Sequence, residues 1–296
     1  MNRRDFLLSV ALAPSVLAHE PLAYVTADTE AHVVLVGMTS GRVYRRIPTA
    51  PSPFSIERVG DSAVVAHTVT GRVTVLERHV IEGIAEPRYT AAAHDGRHAF
   101  VSDSGDARLV AIDVARGTIV GHVQLSQWPR HVSLAPDGRT LWVSLGTASN
   151  AIAVVDVADP RRPRHVHTVK PPFLAHDVGF APSGRAWITS GEVSRISAHG
   201  RVLPADGAPQ HVTFLGDRAY VTSGASGTLR VYHERTARLL ATTRVPVGSY
   251  NVQFAAGRVL TPSLDEGTLC VLDAAGRVTE KVRVAPSSHD ACLAHP

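Results

Sequence analysis

Short runs of alternating apolar and polar residues fill this chain from about residue 20 to its end. Ala99-Phe100-Val101-Ser102, Leu141-Trp142-Val143-Ser144 and Ala186-Trp187-Ile188-Thr189 are three of them, and Gly, Asp and Pro residues punctuate the intervals. Alternation with a period of two predicts half-buried strands, and the punctuation predicts tight turns between them. No convincing helical period is found outside the N-terminus.

The runs are organised by a phrase that recurs seven times. One copy reads Pro129-Arg130-His131-Val132-Ser133-Leu134, then Asp137-Gly138, then Leu141-Trp142-Val143-Ser144; another reads Pro209-Gln210-His211-Val212-Thr213-Phe214, then Gly216-Asp217, then Ala219-Tyr220-Val221-Thr222. One apolar position in the first strand tracks the repeat: Ile56, Thr90, Val132, Val178, Val212, Val252 and Ala291, at spacings of 34, 42, 46, 34, 40 and 39 residues. A period near 40 built from four short strands predicts a β-propeller. The last repeat stops after its first strand, at Asp290-Ala291-Cys292-Leu293-Ala294. The missing three strands stand at the other end, at Leu22–Thr26, His32–Val36 and Gly41–Arg45. The C-terminal strand should therefore pair with the N-terminal three and remove the open edge of the ring. The expected fold is all-β, a seven-bladed β-propeller in one domain over residues 19–296.

Ala23-Tyr24-Val25-Thr26, Ala219-Tyr220-Val221-Thr222 and the turn phrase Val114-Ala115-Arg116-Gly117-Thr118-Ile119-Val120 resemble the YVTN-repeat β-propeller family. The resemblance covers roughly residues 20–296. It departs from the WD40 pattern, because no repeat carries the Gly-His and Trp-Asp pair. It implies a seven-bladed toroid, often exported, and implies little about activity, since such folds carry enzymes, binding proteins and surface scaffolds alike.

The N-terminus, Asn2-Arg3-Arg4-Asp5-Phe6-Leu7-Leu8, is similar to a twin-arginine export motif, and Val16-Leu17-Ala18 suits cleavage after residue 18. Residues 1–18 are thus expected to be a signal peptide, with the protein periplasmic, extracellular or held at the cell envelope. The apolar run is too short and interrupted to span a membrane. Charge changes the picture little. The net charge is +4, only two residues are lysines, and no basic run exceeds two residues. Without a clustered basic stripe, the sequence argues against a nucleic-acid partner. Cys270 and Cys292 fall in strands of different blades and are expected to be separate buried thiols. A monomer is expected.

Candidate chemistry collects at the starts of the seven first strands, which converge on the ring axis. One residue before the tracked position the column reads Ser55, Tyr89, His131, Asp177, His211, Asn251 and Asp290. Two residues before, it reads Phe54, Arg88, Arg130, His176, Gln210, Tyr250 and His289. Imidazoles with carboxylates suit a first-row divalent ion, so His131, His176, His211 and His289 form a candidate metal set. Arg88, Tyr89, Arg130, His131, Asp177, Gln210, Tyr250, Asn251 and Asp290 form a candidate ligand-binding set, with the arginines suited to a carboxylate or phosphate. The same polar residues could equally cap strand ends at a wet channel mouth. There is no Gly-x-Ser-x-Gly elbow, no phosphate loop and no haem-attachment motif. Two functions follow. One is an exported scaffold that binds a ligand or protein partner at the channel mouth. The other is a metal-dependent lyase or hydrolase, with Asp177 or Asp290 as ligand or base and Arg88 or Arg130 on an anionic substrate.

Overall fold

A computed structural model describes residues 20–146 and 150–295. The export motif lies outside the described residues. Among these residues the chain folds into seven four-stranded antiparallel sheets. Six sheets are each formed by four strands consecutive in the sequence. They are blades 1 to 6, whose inner strands are Ser55–Val59, Pro87–Ala92, Pro129–Leu134, Val178–Phe180, Val212–Leu215 and Gln253–Ala255. Blade 7 joins the chain ends: the C-terminal strand Ala291–Leu293 pairs with Leu22–Thr26, with Tyr24 opposite Cys292. No helix among the described residues is long and apolar enough to cross a membrane.

Alternation buries both faces of each inner and middle strand, because every blade packs against two neighbours. Seven apolar clusters of described residues result, one at each junction between consecutive blades. The outermost strands touch water and read accordingly, as in Arg164–Val169, where five of six residues are exposed. Cys270 and Cys292 are both buried free thiols, and burial pushes the Cys270 thiol up to about 12.

The hydroxyl that ends the second-strand phrase in blades 2, 3 and 4 has a structural duty. Ser144 Oγ accepts a hydrogen bond from His131 N–H at 3.0 Å within its blade and donates to the His176 carbonyl of the next blade at 2.7 Å. Ser102 does the same between Tyr89 N–H and the Arg130 carbonyl, and Thr189 between Asp177 N–H and the Gln210 carbonyl. These run-in segments have left the sheet ladder, so their backbone groups need other partners. Ser144→Ala would strand two of them in a buried place. We expect a loss of about 1–3 kcal/mol, read as an earlier urea midpoint with an unchanged slope.

Candidate functional site

The run-ins to blades 3, 4 and 5 carry His131, His176 and His211 to the axis, and all three are buried. One ring nitrogen from each lies within 4.8 Å of the other two. Ring centroids stand 4.0 Å apart for His131 and His211, 5.0 Å for His176 and His211, and 5.7 Å for His131 and His176. A tetrahedral ion with bonds of about 2.0–2.1 Å wants nitrogens about 3.3 Å apart, so small side-chain rotations bring the set to ligating distance.

Each ring is oriented by an acceptor behind it. His131 Nδ1 is 3.2 Å from Asp177 Oδ1, His211 Nδ1 is 3.5 Å from Asp177 Oδ2, and His176 Nδ1 is 3.0 Å from the Gln210 carbonyl. A carboxylate and a carbonyl can only accept, so these Nδ1 atoms carry the hydrogens and the Nε2 lone pairs are left free. His131 Nε2 is buried with no partner. Gly191 fixes the third ring: a Cβ there, at φ +69°, would come within 2.6 Å of the His176 imidazole.

Electrostatics favour neutral, ligating imidazoles. Burial, then the neighbouring His211, pushes His131 down to about 4, and the same causes hold His176 well below its ordinary value. Burial would raise the Asp177 carboxyl, but His131 and His211 beside it hold it well below the usual range. Asp177 Oδ2 also accepts from Val212 N–H at 3.2 Å, so it closes the inner edge of blade 5 as well as orienting two rings.

A cavity of about 470 Å³ runs along the axis below this cluster. Tyr89, His131, Asp177, His211, Asn251 and Asp290 line one end of it, and His94 and Pro136, past the ends of their inner strands, line the other. Between them lie apolar walls that include Val132, Phe180, Val212 and Phe214. Arg88, Arg130, His176, Gln210, Tyr250 and His289 do not line it. The cavity therefore reaches the cluster from the strand-end side, whereas sequence spacing pointed to an open mouth on the strand-start side. Rings pack beside the cluster: Phe54 stacks on His289 at 3.9 Å, Tyr89 lies tilted against His131 at 3.5 Å, and Phe54 meets Tyr89 edge-on at 5.4 Å.

The other candidates are placed as follows. His289 stands apart from the three clustered histidines, stacked on Phe54 with Nδ1 2.9 Å from the Phe54 carbonyl. Asp290 accepts from Ile56 N–H at 3.0 Å and Ala291 N–H at 2.8 Å, and Asn251 accepts from Val252 N–H at 2.9 Å. Both secure backbone at the wall of the cavity. Gln210 contributes its carbonyl, and Tyr250 packs its ring on Gly224, where a Cβ would come within 2.2 Å.

Glu57, one residue past the tracked column, faces the cavity and had no sequence signal beyond its place on an inner strand. Burial, and then the nearby Asp290, raises its carboxyl from 4.5 to about 8, and burial raises Asp290 to about 7. A carboxyl raised on folding gives up its proton first in the unfolded chain. Stability should thus fall as pH climbs from about 4.5 towards 8, and Glu57→Gln should flatten that slope. Urea titrations at several pH values would read this; a Glu57→Gln slope equal to the parent's would contradict it.

No family model and no curated protein matches the chain. Solved structures do. The fold is similar to that of a protein of unknown function from Desulfotomaculum acetoxidans DSM 771, at TM-score 0.78 and 11% identity, over 93% of this chain and 99% of that one. It is similar to Kuenenia stuttgartiensis hydrazine synthase at TM-score 0.72 and 18% identity, over 86% and 92% of the two chains. It is also similar to apo AztD from Citrobacter koseri at TM-score 0.68 and 12% identity, over 93% and 98%. At such identities these likenesses speak for a shared seven-bladed β-propeller fold and for nothing of a shared activity.

Proposed function

We propose that this protein is an exported β-propeller that binds a first-row divalent ion, zinc above all, through His131, His176 and His211. One observation carries the reading: three buried imidazoles meet at the axis with each Nδ1 turned to an acceptor, which leaves His131 Nε2 buried and unpaired. An acceptor behind a ligating imidazole is the usual support for a metal site. Three neutral nitrogens with an open fourth position suit zinc, and the ionised Asp177 behind them offsets part of the ion's charge. The cavity gives a small ligand a path to that fourth position. The apolar walls and the Glu57 carboxyl within them favour, as a second reading, a metal-dependent hydrolase or lyase.

In this reading residues 1–18 are removed on twin-arginine export, and residues 19–296 act in the periplasm, outside the cell or at its envelope, as a monomer of the YVTN-repeat type. The Ser and Thr latches between blades support that kinship, since they give the last residue of the repeated phrase a reason to recur.

The test is metal analysis of the mature protein purified without chelator, followed by Co²⁺ titration of the metal-free form. About one equivalent of a transition ion, and the intense visible bands of tetrahedral cobalt, are expected. A protein that comes out metal-free and takes up neither Zn²⁺ nor Co²⁺ would remove the proposal.

A further inference from the structure

The strand-start side of the ring carries two arginines with no ion-pair partner among the described residues. Arg88 and Arg130 occupy equivalent places in blades 2 and 3, as Pro87-Arg88-Tyr89 and Pro129-Arg130-His131. In both, the pairing with the second strand shifts register between the proline and the tracked residue, so both arginines sit on matching bulges. Bulges re-aim side chains, and here the same irregularity recurs at an arginine in two neighbouring blades. Both side chains are only partly exposed.

Neither guanidinium makes a hydrogen bond or ion pair among the described residues. Arg88 lies over the Trp128 ring at 5.2 Å, and its Nε is buried with no partner. Arg130, in the equivalent place of the next blade, is half-buried. Other partly buried arginines are treated differently: Arg108 Nε lies 2.9 Å from Asp103, and Arg230 Nη2 lies 2.5 Å from Asp206. Two like charges at equivalent places of neighbouring blades, part-desolvated and unpaired among the described residues, cost stability. Such a cost is what a fold bears at a binding site. Their fixed forks match the geometry of a carboxylate or phosphate.

We propose that Arg88 and Arg130 form an oxyanion site, for the phosphate or carboxylate group of a small molecule, on the strand-start side of the ring stack. Like His176, these arginines do not line the cavity. Anion binding by the chelator-treated protein reads this site apart from metal binding.

Calorimetric titration of chelator-treated protein with inorganic phosphate, and separately with acetate, at constant ionic strength tests it. The parent should bind one equivalent of at least one of the two, and chloride should not compete at equal concentration. Phosphate alone would assign the site to phosphoryl groups, and acetate as well would widen it to carboxylates. Arg88→Gln and Arg130→Gln should each weaken binding at least tenfold while raising or leaving unchanged the melting temperature, since each removes a part-desolvated, unpaired charge. His176→Ala should bind the anion as the parent does. No saturable binding by the parent, equal competition by chloride, or undiminished binding in both arginine variants would overturn the proposal.

Discussion

Replacing His176 by alanine is expected to weaken Zn²⁺ binding by more than about 100-fold, beyond the 10–100-fold typical of losing an outer-shell partner. Loss of one of three ligands leaves two imidazoles, too few to outcompete water and buffer. His176 is the informative choice because its Nδ1 is tied to the Gln210 carbonyl and not to Asp177. Its removal thus leaves the His131–Asp177–His211 arrangement in place. Asp177→Asn should cost less, about 10–100-fold, because it keeps an acceptor but removes the charge. Arg130→Gln should leave the metal in place. Competition with a chromophoric chelator measures all three, and melting curves show whether each variant is folded. Parent-like zinc affinity in a folded His176→Ala protein would mean that the cluster is a hydrogen-bonded plug and not a metal site.

Deleting residues 289–296 is expected to abolish cooperative folding. Ala291, Cys292 and Ala294 are buried, and the strand Ala291–Leu293 is the inner strand of blade 7. The deletion also removes Asp290, which binds Ile56 N–H of blade 1, and the Ala294 N–H bond to the Leu22 carbonyl. The inner edge of Leu22–Thr26 would be left bare, and the ring would have lost one of its seven inner strands. Domains of this kind hold about 5–15 kcal/mol in all, and an inner strand with its contacts is a large share of that. The truncated chain should aggregate or melt without a sharp transition. A soluble truncation melting at the parent's temperature would show that the closure is dispensable.

The fold was legible because a repeat states its own period. Tracking one position from Ile56 to Ala291 identified all seven inner strands or their neighbourhoods, and the incomplete last repeat showed where the ring closes. Ser102, Ser144 and Thr189 were visible as letters, but their partners were not. Ser144 binds a carbonyl 32 residues away in another blade, which no local pattern announces.

The candidate site was legible in part. Sequence spacing placed four histidines at the strand starts, which converge in a toroid, and the structure clusters His131, His176 and His211 among them. Spacing did not separate His289 from the other three, nor Arg88 and Arg130 from the cavity wall. Those distinctions depend on which way each ring or guanidinium turns once the strand has left the ladder, and a bulge of one residue is enough to change it. Glu57 escaped notice because a lone acid on an amphipathic strand looks solvated until its neighbours enclose it. Gly191 escaped because its role is the absence of an atom beneath the His176 ring.

By itself the sequence determined the architecture: strand alternation, turn residues and a period near 40 leave one economical way to bury seven sets of apolar faces. Only the tertiary structure decided the chemistry. Whether an imidazole is a ligand, a stacked ring or a backbone cap depends on what stands within about 3 Å of each nitrogen, and those atoms come from other blades.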